Sequence, residues 1–174
     1  MMTTVLRLGH RPQRDKRLST HLMLAARAFG ASAALYSGTR DSGLEESVRK
    51  IVRDWGGDFR VEYAANWRRV VKGWAGDVAH LTMYGLPVQD VAHDVRAGGG
   101  PLLVVVGGPK VPGDLFELAD WNISVTLQPH SEVSALALFL HALYGGEELG
   151  REYPGARKRI TPSARGKELS VSKD

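Results

Sequence analysis

The hydrophobic residues of this chain fall into short runs that alternate between strand-like and helix-like spacing. Residues 102–106 form an uninterrupted Leu/Val run, typical of a strand that is buried on both faces. Residues 44–55 and 88–95 instead place apolar side chains every three or four positions, as a helix with one buried face does. Further strands are predicted at residues 3–9, 32–36, 59–63, 77–83 and 121–126. This alternation predicts an α/β fold with a mostly parallel sheet flanked by helices.

The last long apolar segment, residues 133–144, has no clean polar face. Ser131 is a natural N-cap for it, and Glu132 suits the positive end of the helix dipole. A helix that is apolar nearly all round must be buried inside the domain or against another chain. We therefore expect a homodimer in which this helix contributes to the interface.

A basic segment follows the first predicted strand. Pro12 is expected to stop any early helix, so that residues 10–21 form a loop and a helix begins after Ser19 or Thr20. This loop would lie at the carboxyl end of the first strand, where α/β proteins place their active sites.

Three arginines of this loop, Arg11, Arg14 and Arg17, are candidates for binding an anionic substrate, because a guanidinium grips phosphate at two points. The alternative interpretation is that Asp15 pairs with one of them while the others are solvated.

The distribution of charge is more informative than its total. The 174 residues carry a formal net charge of +4, with a pI of about 9.5. Residues 7–17 and residues 151–174 each carry +4, so the rest of the chain is about −4. Two basic segments on a mildly acidic body suggest a polyanionic partner, and solvated basic tails are the alternative.

Several classes of protein are disfavoured. The chain has no cysteine, which excludes disulfides, thiolate catalysis and cysteine-bound zinc, and its six histidines lack metal-ligand spacing, so no metal is expected. No apolar run approaches the roughly 20 residues of a membrane span, and no signal sequence is evident, so we expect a cytoplasmic protein. The glycines at 107 and 108 do not have Walker A spacing, and no Gly-x-Gly-x-x-Gly follows the first strand.

Three motifs in the C-terminal half resemble those of the SPOUT methyltransferases. They are Gly-Gly-Pro-Lys at 107–110, Asn-Ile-Ser-Val-Thr at 122–126 and Gln-Pro-His-Ser-Glu-Val at 128–133. The N-terminal pattern Gly-His-Arg-Pro-x-Arg-Asp-x-Arg-x-x-Thr-His at 9–21 is similar to that of the archaeal tRNA cytidine-56 2′-O-methyltransferase family. One departure is that the asparagine and arginine of most ribose-methylating SPOUT proteins have no clear match in the helix after this pattern.

The resemblance implies S-adenosylmethionine-dependent 2′-O-methylation of the ribose of cytidine-56 in the T-loop of tRNA. It also implies a trefoil knot, which physical reasoning alone would not predict because true knots are rare. The SPOUT methyltransferase domain would span residues 1–146, and a basic C-terminal extension with a small β-hairpin would span residues 147–174. Two alternatives stay open: methylation at another RNA position, and a non-catalytic RNA-binding dimer, which an apolar Leu127 in a loop expected to be polar leaves possible.

The resemblance also assigns residues to roles. Arg11, Arg14 and Arg17 would position the ribose and its flanking phosphates. Phosphate contacts in the extension would be Arg157, Lys158, Arg159, Arg165 and Lys167. The cofactor-binding residues would be Leu81, Thr82, Tyr84, Gly85, Val106, Gly107, Gly108, Pro109, Lys110, Ser124, Val125, Thr126, Leu127, Gln128, Pro129, His130 and Ser131.

Overall fold

The computed structural model describes residues 1–108 and 110–172. Six strands form one sheet: β1 (Thr3–His10), β2 (Ala33–Gly38), β3 (Arg60–Tyr63), β4 (Asp77–Pro87), β5 (Leu102–Val106) and β6 (Trp121–Ser124). Their order is β3-β2-β1-β5-β4-β6, and every neighbouring pair is parallel. The α/β class with a mostly parallel sheet, predicted from the hydrophobic pattern, is confirmed.

Helices cover both faces of this sheet. They are α1 (Pro12–Ala28), α2 (Ser42–Trp55), α3 (Trp67–Lys72), α4 (Val88–Ala97), α5 (Leu115–Leu118) and α6 (Glu132–Tyr144). The larger apolar core joins the sheet to α1, α2, α4 and α6, and the smaller one joins it to α3 and α5. Among the described helices, none is long and apolar enough to cross a membrane.

Strand β5 lies at the centre of the molecule, between β1 and β4. All five of its residues are at most 1% exposed. Leu102, Val104 and Val106 contribute to the larger core, whereas Leu103 and Val105 contribute to the smaller one. The uninterrupted Leu/Val run is therefore a strand buried on both faces, as predicted.

The prediction that Pro12 stops an early helix is wrong. Helix α1 begins at Pro12 itself, with Arg11 as its N-cap residue. Proline is well tolerated at the first helical position, because its missing N–H has no partner there and its φ angle is already helical. Residues 12–21 are therefore the first turns of a helix. Ser19, expected as a cap, is buried within α1 and lies 2.8 Å from His10 Nδ1 through its Oγ.

The other helix starts follow side-chain capping. Ser131 caps α6 as predicted, and Asn66 caps α3; each accepts a hydrogen bond from a backbone N–H of the first turn. Helix α2 begins at Ser42 and is capped by Asp41, whose Oδ1 accepts from the N–H groups of Gly43 and Leu44 at 2.9 and 3.1 Å. A carboxylate one residue earlier reaches these donors and also suits the helix dipole.

The C-terminal part packs beneath the sheet, at the edge where the strands begin. The short strands β7 (Lys158–Thr161) and β8 (Glu168–Val171) pair antiparallel there. The Tyr153 ring lies 4.3 Å under the Arg27 guanidinium, and its hydroxyl donates to the Arg27 carbonyl at the end of α1. Lys158 Nζ donates to Asp54 Oδ2 at the end of α2, at 2.7 Å. The division of the chain at residue 146 stays a prediction.

Candidate active site

A cleft of about 580 Å³ lies at the carboxyl ends of β4, β5 and β6. In a parallel sheet, all carboxyl ends meet at one edge, and loops from separate strands converge there. The volume is typical of a small-molecule site. The residues of the predicted cofactor set that line it are Leu81, Thr82, Tyr84, Val106, Gly107, Gly108, Val125, Gln128, Pro129, His130 and Ser131.

The other described members of the predicted set do not line this cleft. Ser124 is buried at the end of β6, and with Thr126 and Leu127 it borders a second hollow of about 360 Å³. Lys110 is exposed and does not line the cleft. Pro109 lies outside the described residues. Their roles in cofactor binding stay predictions.

The glycines at 107 and 108 present bare backbone to the cleft. A Cβ atom at Gly107 would stand 2.2 Å from Val111 Cγ2, so a side chain at this position would require Val111 to move. A Cβ at Gly108 would stand 3.7 Å from Glu132 Oε1 and 3.8 Å from Arg7 Nη1. A ligand that approaches this backbone therefore lies near two opposite charges.

Gly85 has a structural role in addition to any binding role. The register of β4 against β6 shifts between Leu81 and Leu86, and Gly85 lies inside this irregular stretch. A Cβ atom there would stand 2.4 Å from backbone atoms of Asn122 and Ile123. Glycine is required because the two backbones approach too closely for any side chain.

Arg7 is a candidate functional residue that the sequence reasoning missed. It is 2% exposed, its Nη1 donates to the Leu8 carbonyl at 3.0 Å, and its Nε has no partner among the described residues. Burial lowers the pKa of Arg7, and the charges of Glu132 and Asp15 partly oppose this effect. A buried cation is costly to maintain, so its presence behind the cleft indicates a functional constraint. In the sequence, Arg7 occupies a position in a strand of alternating apolar and polar residues, so it was not distinguishable from an ordinary solvent-exposed residue.

The three arginines of the N-terminal motif lie at the same edge of the sheet, all exposed at the start of α1. Arg11 donates two hydrogen bonds to the Asp15 carboxylate, from Nε at 2.8 Å and from Nη2 at 3.1 Å. This is the Asp15–arginine pairing given above as the alternative to substrate binding. This hydrogen bonding raises the pKa of Arg11 and lowers the pKa of Asp15. Arg14 and Arg17 are one turn apart, which places them on one exposed side of α1 and available to a substrate.

His80, within β4, also lines the cleft. Its Nδ1 lies 2.9 Å from Asn122 Oδ1, and its ring packs edge-on against Phe116, with centroids 4.8 Å apart. Burial lowers the pKa of His80. Its Nε2 is buried and has no partner among the described residues. The sequence offered no signal for this residue beyond its place in a predicted strand.

The basic extension is not brought together with the cleft. Lys158 is tied to Asp54 at the amino-end edge of the sheet, opposite the cleft. Arg157, Arg159, Arg165 and Lys167 are exposed, and the Arg157 backbone N–H donates to the Asp54 carbonyl. Phosphate binding by these residues stays a prediction, and it would involve a part of the RNA that is distant from the cleft of the same chain.

Comparison with known sequences decides the family. A family model described as "tRNA ribose 2'-O-methyltransferase, aTrm56" matches residues 55–170. The chain belongs to this family. It is 54% identical over 170 residues to the tRNA (cytidine(56)-2'-O)-methyltransferase of Methanopyrus kandleri, covering 96% of this chain and 95% of the relative. It is 47% identical over 171 residues to the enzyme of the same name from Pyrococcus horikoshii, covering 97% and 84%.

Solved structures share the fold at much lower identity. An RNA 2'-O ribose methyltransferase matches with a TM-score of 0.62 at 16% identity, over 83% of this chain and 56% of that one. The SpoU methyltransferase AviRb from Streptomyces viridochromogenes, solved in complex with AdoMet, matches with a TM-score of 0.59 at 15% identity, over 87% and 59%. This chain therefore has the fold of the SPOUT methyltransferases, which confirms the resemblance seen in its motifs.

The Gly85→Ala substitution tests the close approach of β4 to β6. We expect a loss of about 1–3 kcal/mol in the free energy of unfolding, because the added methyl group overlaps backbone that cannot move aside easily. Urea unfolding measures it. The matched control is Gly113→Ala, where a Cβ atom meets nothing within 4 Å. Equal stability of the two variants would show that the β4 backbone adapts and that Gly85 is not structurally required.

Proposed function

We propose that this chain transfers a methyl group from S-adenosylmethionine to the ribose 2′-oxygen of cytidine-56 in tRNA. The observation that carries the proposal is the adjacency of the cleft and the arginine-bearing start of α1. Arg7 of β1 pairs in register with Val106 of β5. The loop after β5, which lines the cleft, and the arginines after β1 therefore leave the sheet side by side. Family membership supplies the reaction type and the substrate.

The cleft fits a nucleoside-bearing cofactor. Its walls combine apolar side chains such as Leu81, Val106 and Ile123 with bare backbone at 107–108 and the capped start of α6. Backbone N–H groups at a helix N-terminus favour an anionic group, so the start of α6 suits a carboxylate. Bound S-adenosylmethionine would supply an electrophilic methyl group on its sulfonium. The protein then has to orient the ribose and exclude water.

The exposed arginines of α1 would hold the RNA. Arg14 and Arg17 are exposed and form no ion pair with another described residue, and they are suited to bind phosphates on either side of the target ribose. Arg11 is already engaged with Asp15, so we assign it a smaller share of RNA binding. We assign none of the three the role of proton acceptor, because a guanidinium has no acceptor atom while it is protonated and does not release its proton in proteins. Their contribution to turnover is positioning and electrostatic stabilisation.

We further propose the trefoil knot and a homodimer. Helix α6 follows the edge strand β6, yet it packs against both α4 and α1, which suits a chain that threads back beneath a neighbouring connection. Its Leu138 is 53% exposed, and Leu127, in the loop before the helix, is 65% exposed. A second chain would cover such apolar surface.

Light scattering at micromolar concentration tests the dimer. We expect twice the monomer mass for the full chain and a shift toward monomer for Leu138→Glu, because the carboxylate would be buried unpaired in the interface. Leu149→Glu, at a side chain 69% exposed outside α6, is the matched control and should leave the mass unchanged. A monomeric wild-type chain would contradict the proposal.

Methyl transfer from labelled S-adenosylmethionine to unmodified tRNA transcripts tests the function. We expect incorporation into a transcript with cytidine at position 56 and none into one with uridine there. Incorporation into both would preserve the methyltransferase activity and refute the position. Tight tRNA binding without incorporation into either would refute the enzyme and favour a non-catalytic RNA-binding protein.

The variants Arg14→Ala and Arg17→Ala test the role of α1. We expect each to lower kcat/KM for tRNA roughly 10- to 100-fold, because each removes a charge-assisted contact worth about 1.5–3 kcal/mol. Affinity for S-adenosylmethionine, measured by calorimetry, should stay unchanged. Arg49→Ala, on the exposed face of α2, is the control. Loss of cofactor affinity in both variants would mean that α1 supports the cofactor site instead.

A further inference from the structure

The imidazole of His80 leaves one buried nitrogen without a partner at the wall of the cleft. The residue is 1% exposed and lines the cleft, yet its Nε2 makes no hydrogen bond among the described residues. A buried polar atom without a partner is costly, and such atoms in native proteins usually have a ligand or a water in the functional state.

The neighbours of His80 determine which kind of partner Nε2 requires. Asn122 Nδ2 donates to the Phe116 carbonyl at 2.9 Å, which fixes the orientation of the Asn122 amide. Asn122 Oδ1 therefore faces His80 Nδ1, 2.9 Å away, and an amide oxygen can only accept. His80 Nδ1 must carry a proton, and in the neutral ring Nε2 is then a bare acceptor. Burial lowers the pKa of His80, which favours this neutral form.

The surroundings limit the ligand group that could donate to Nε2. Phe116 packs against the imidazole, and the lining of the cleft also includes the apolar side chains of Val111 and Ile123. A charged ammonium would lose far more solvation free energy on burial here than the amino group of a flat, neutral heterocycle would, so a neutral N–H donor is favoured. Phe116, which also lines the cleft, is 37% exposed and packs edge-on against the imidazole.

We propose that His80 is a specificity-determining residue that accepts a hydrogen bond from the exocyclic amino group of the cofactor's adenine. This inference rests on the proposed function, since it identifies how the same cleft would recognise its cofactor. A 6-oxopurine presents a carbonyl oxygen at that position. Two acceptors would then face each other, and the ligand would be rejected because neither group could be satisfied.

Calorimetric binding of two product analogues to the full chain tests the proposal. The probes are S-adenosylhomocysteine and S-inosylhomocysteine, which differ in the 6-amino and 6-oxo groups. We expect wild type to prefer the adenosyl compound by roughly tenfold or more, as for the loss of one buried hydrogen bond. In His80→Asn, whose amide can still donate to Asn122 but lacks the outer nitrogen, we expect the preference to fall to about twofold.

Two further variants separate recognition from structure. His80→Gln can place an amide oxygen near the position of Nε2, so it should restore part of the preference. His93→Asn, at an exposed histidine on α4, should retain the full preference. If His80→Asn weakened both compounds equally, the role of His80 would be structural and the proposal overturned. Equal binding of both compounds by wild type would overturn it directly, whether or not the variants fold. Failure of wild type to bind either compound would instead refute the cofactor and the proposed function.

Discussion

The burial of β5 on both faces is the constraint on which the rest of the structure depends. Its five aliphatic residues can be removed from water only if β1 and β4 pair along its two edges and helices cover both faces. That arrangement fixes a parallel sheet, and a parallel sheet collects its carboxyl ends at one edge. The glycines after Val106 then emerge between the end of β1 and the end of β4. The position of the cleft is a consequence of how the core is buried.

Around this edge the molecule combines features that cost stability. Among the described residues, no hydrogen-bond partner is found for Nε of the buried Arg7 cation or for Nε2 of the buried His80 imidazole. Gly85 has no side chain, which allows the backbone of β4 to approach the backbone of β6 closely at this position. Such features are uncommon in a core selected for stability alone, and they cluster where ligands bind. They are distributed over β1 and β4, which flank β5. A cofactor contacting the β5 loop would therefore lie between groups from both neighbouring strands.

The two basic segments of the chain have different places in this arrangement. The N-terminal segment forms the first turns of α1 at the cleft edge, whereas the C-terminal segment is anchored by Tyr153 and Lys158 at the opposite edge. A single tRNA bound at the cleft could reach both only by extending along the molecule or by contacting a second copy. The net charge of each segment is the same, but their distance from the cleft is not. The N-terminal arginines are consequently those that we connect with the reaction.

The sequence by itself determined the fold class and most of the element positions, because these depend on local periodicity and on capping residues such as Asn66 and Ser131. It also indicated the family, through motifs that lie mostly along the cleft. The start of α1 was predicted wrongly. Proline disrupts the interior of a helix but is favourable at its first position, so the effect of Pro12 could be predicted only if its position in the helix was already known. The sequence did not reveal α5, since four residues are too few for a periodic pattern. The tertiary structure alone decided that Arg7 approaches Glu132 across Gly108, and that Asn122 sets the tautomer of His80. Residues so distant in sequence meet only through the pairing of strands, and no local pattern records that pairing.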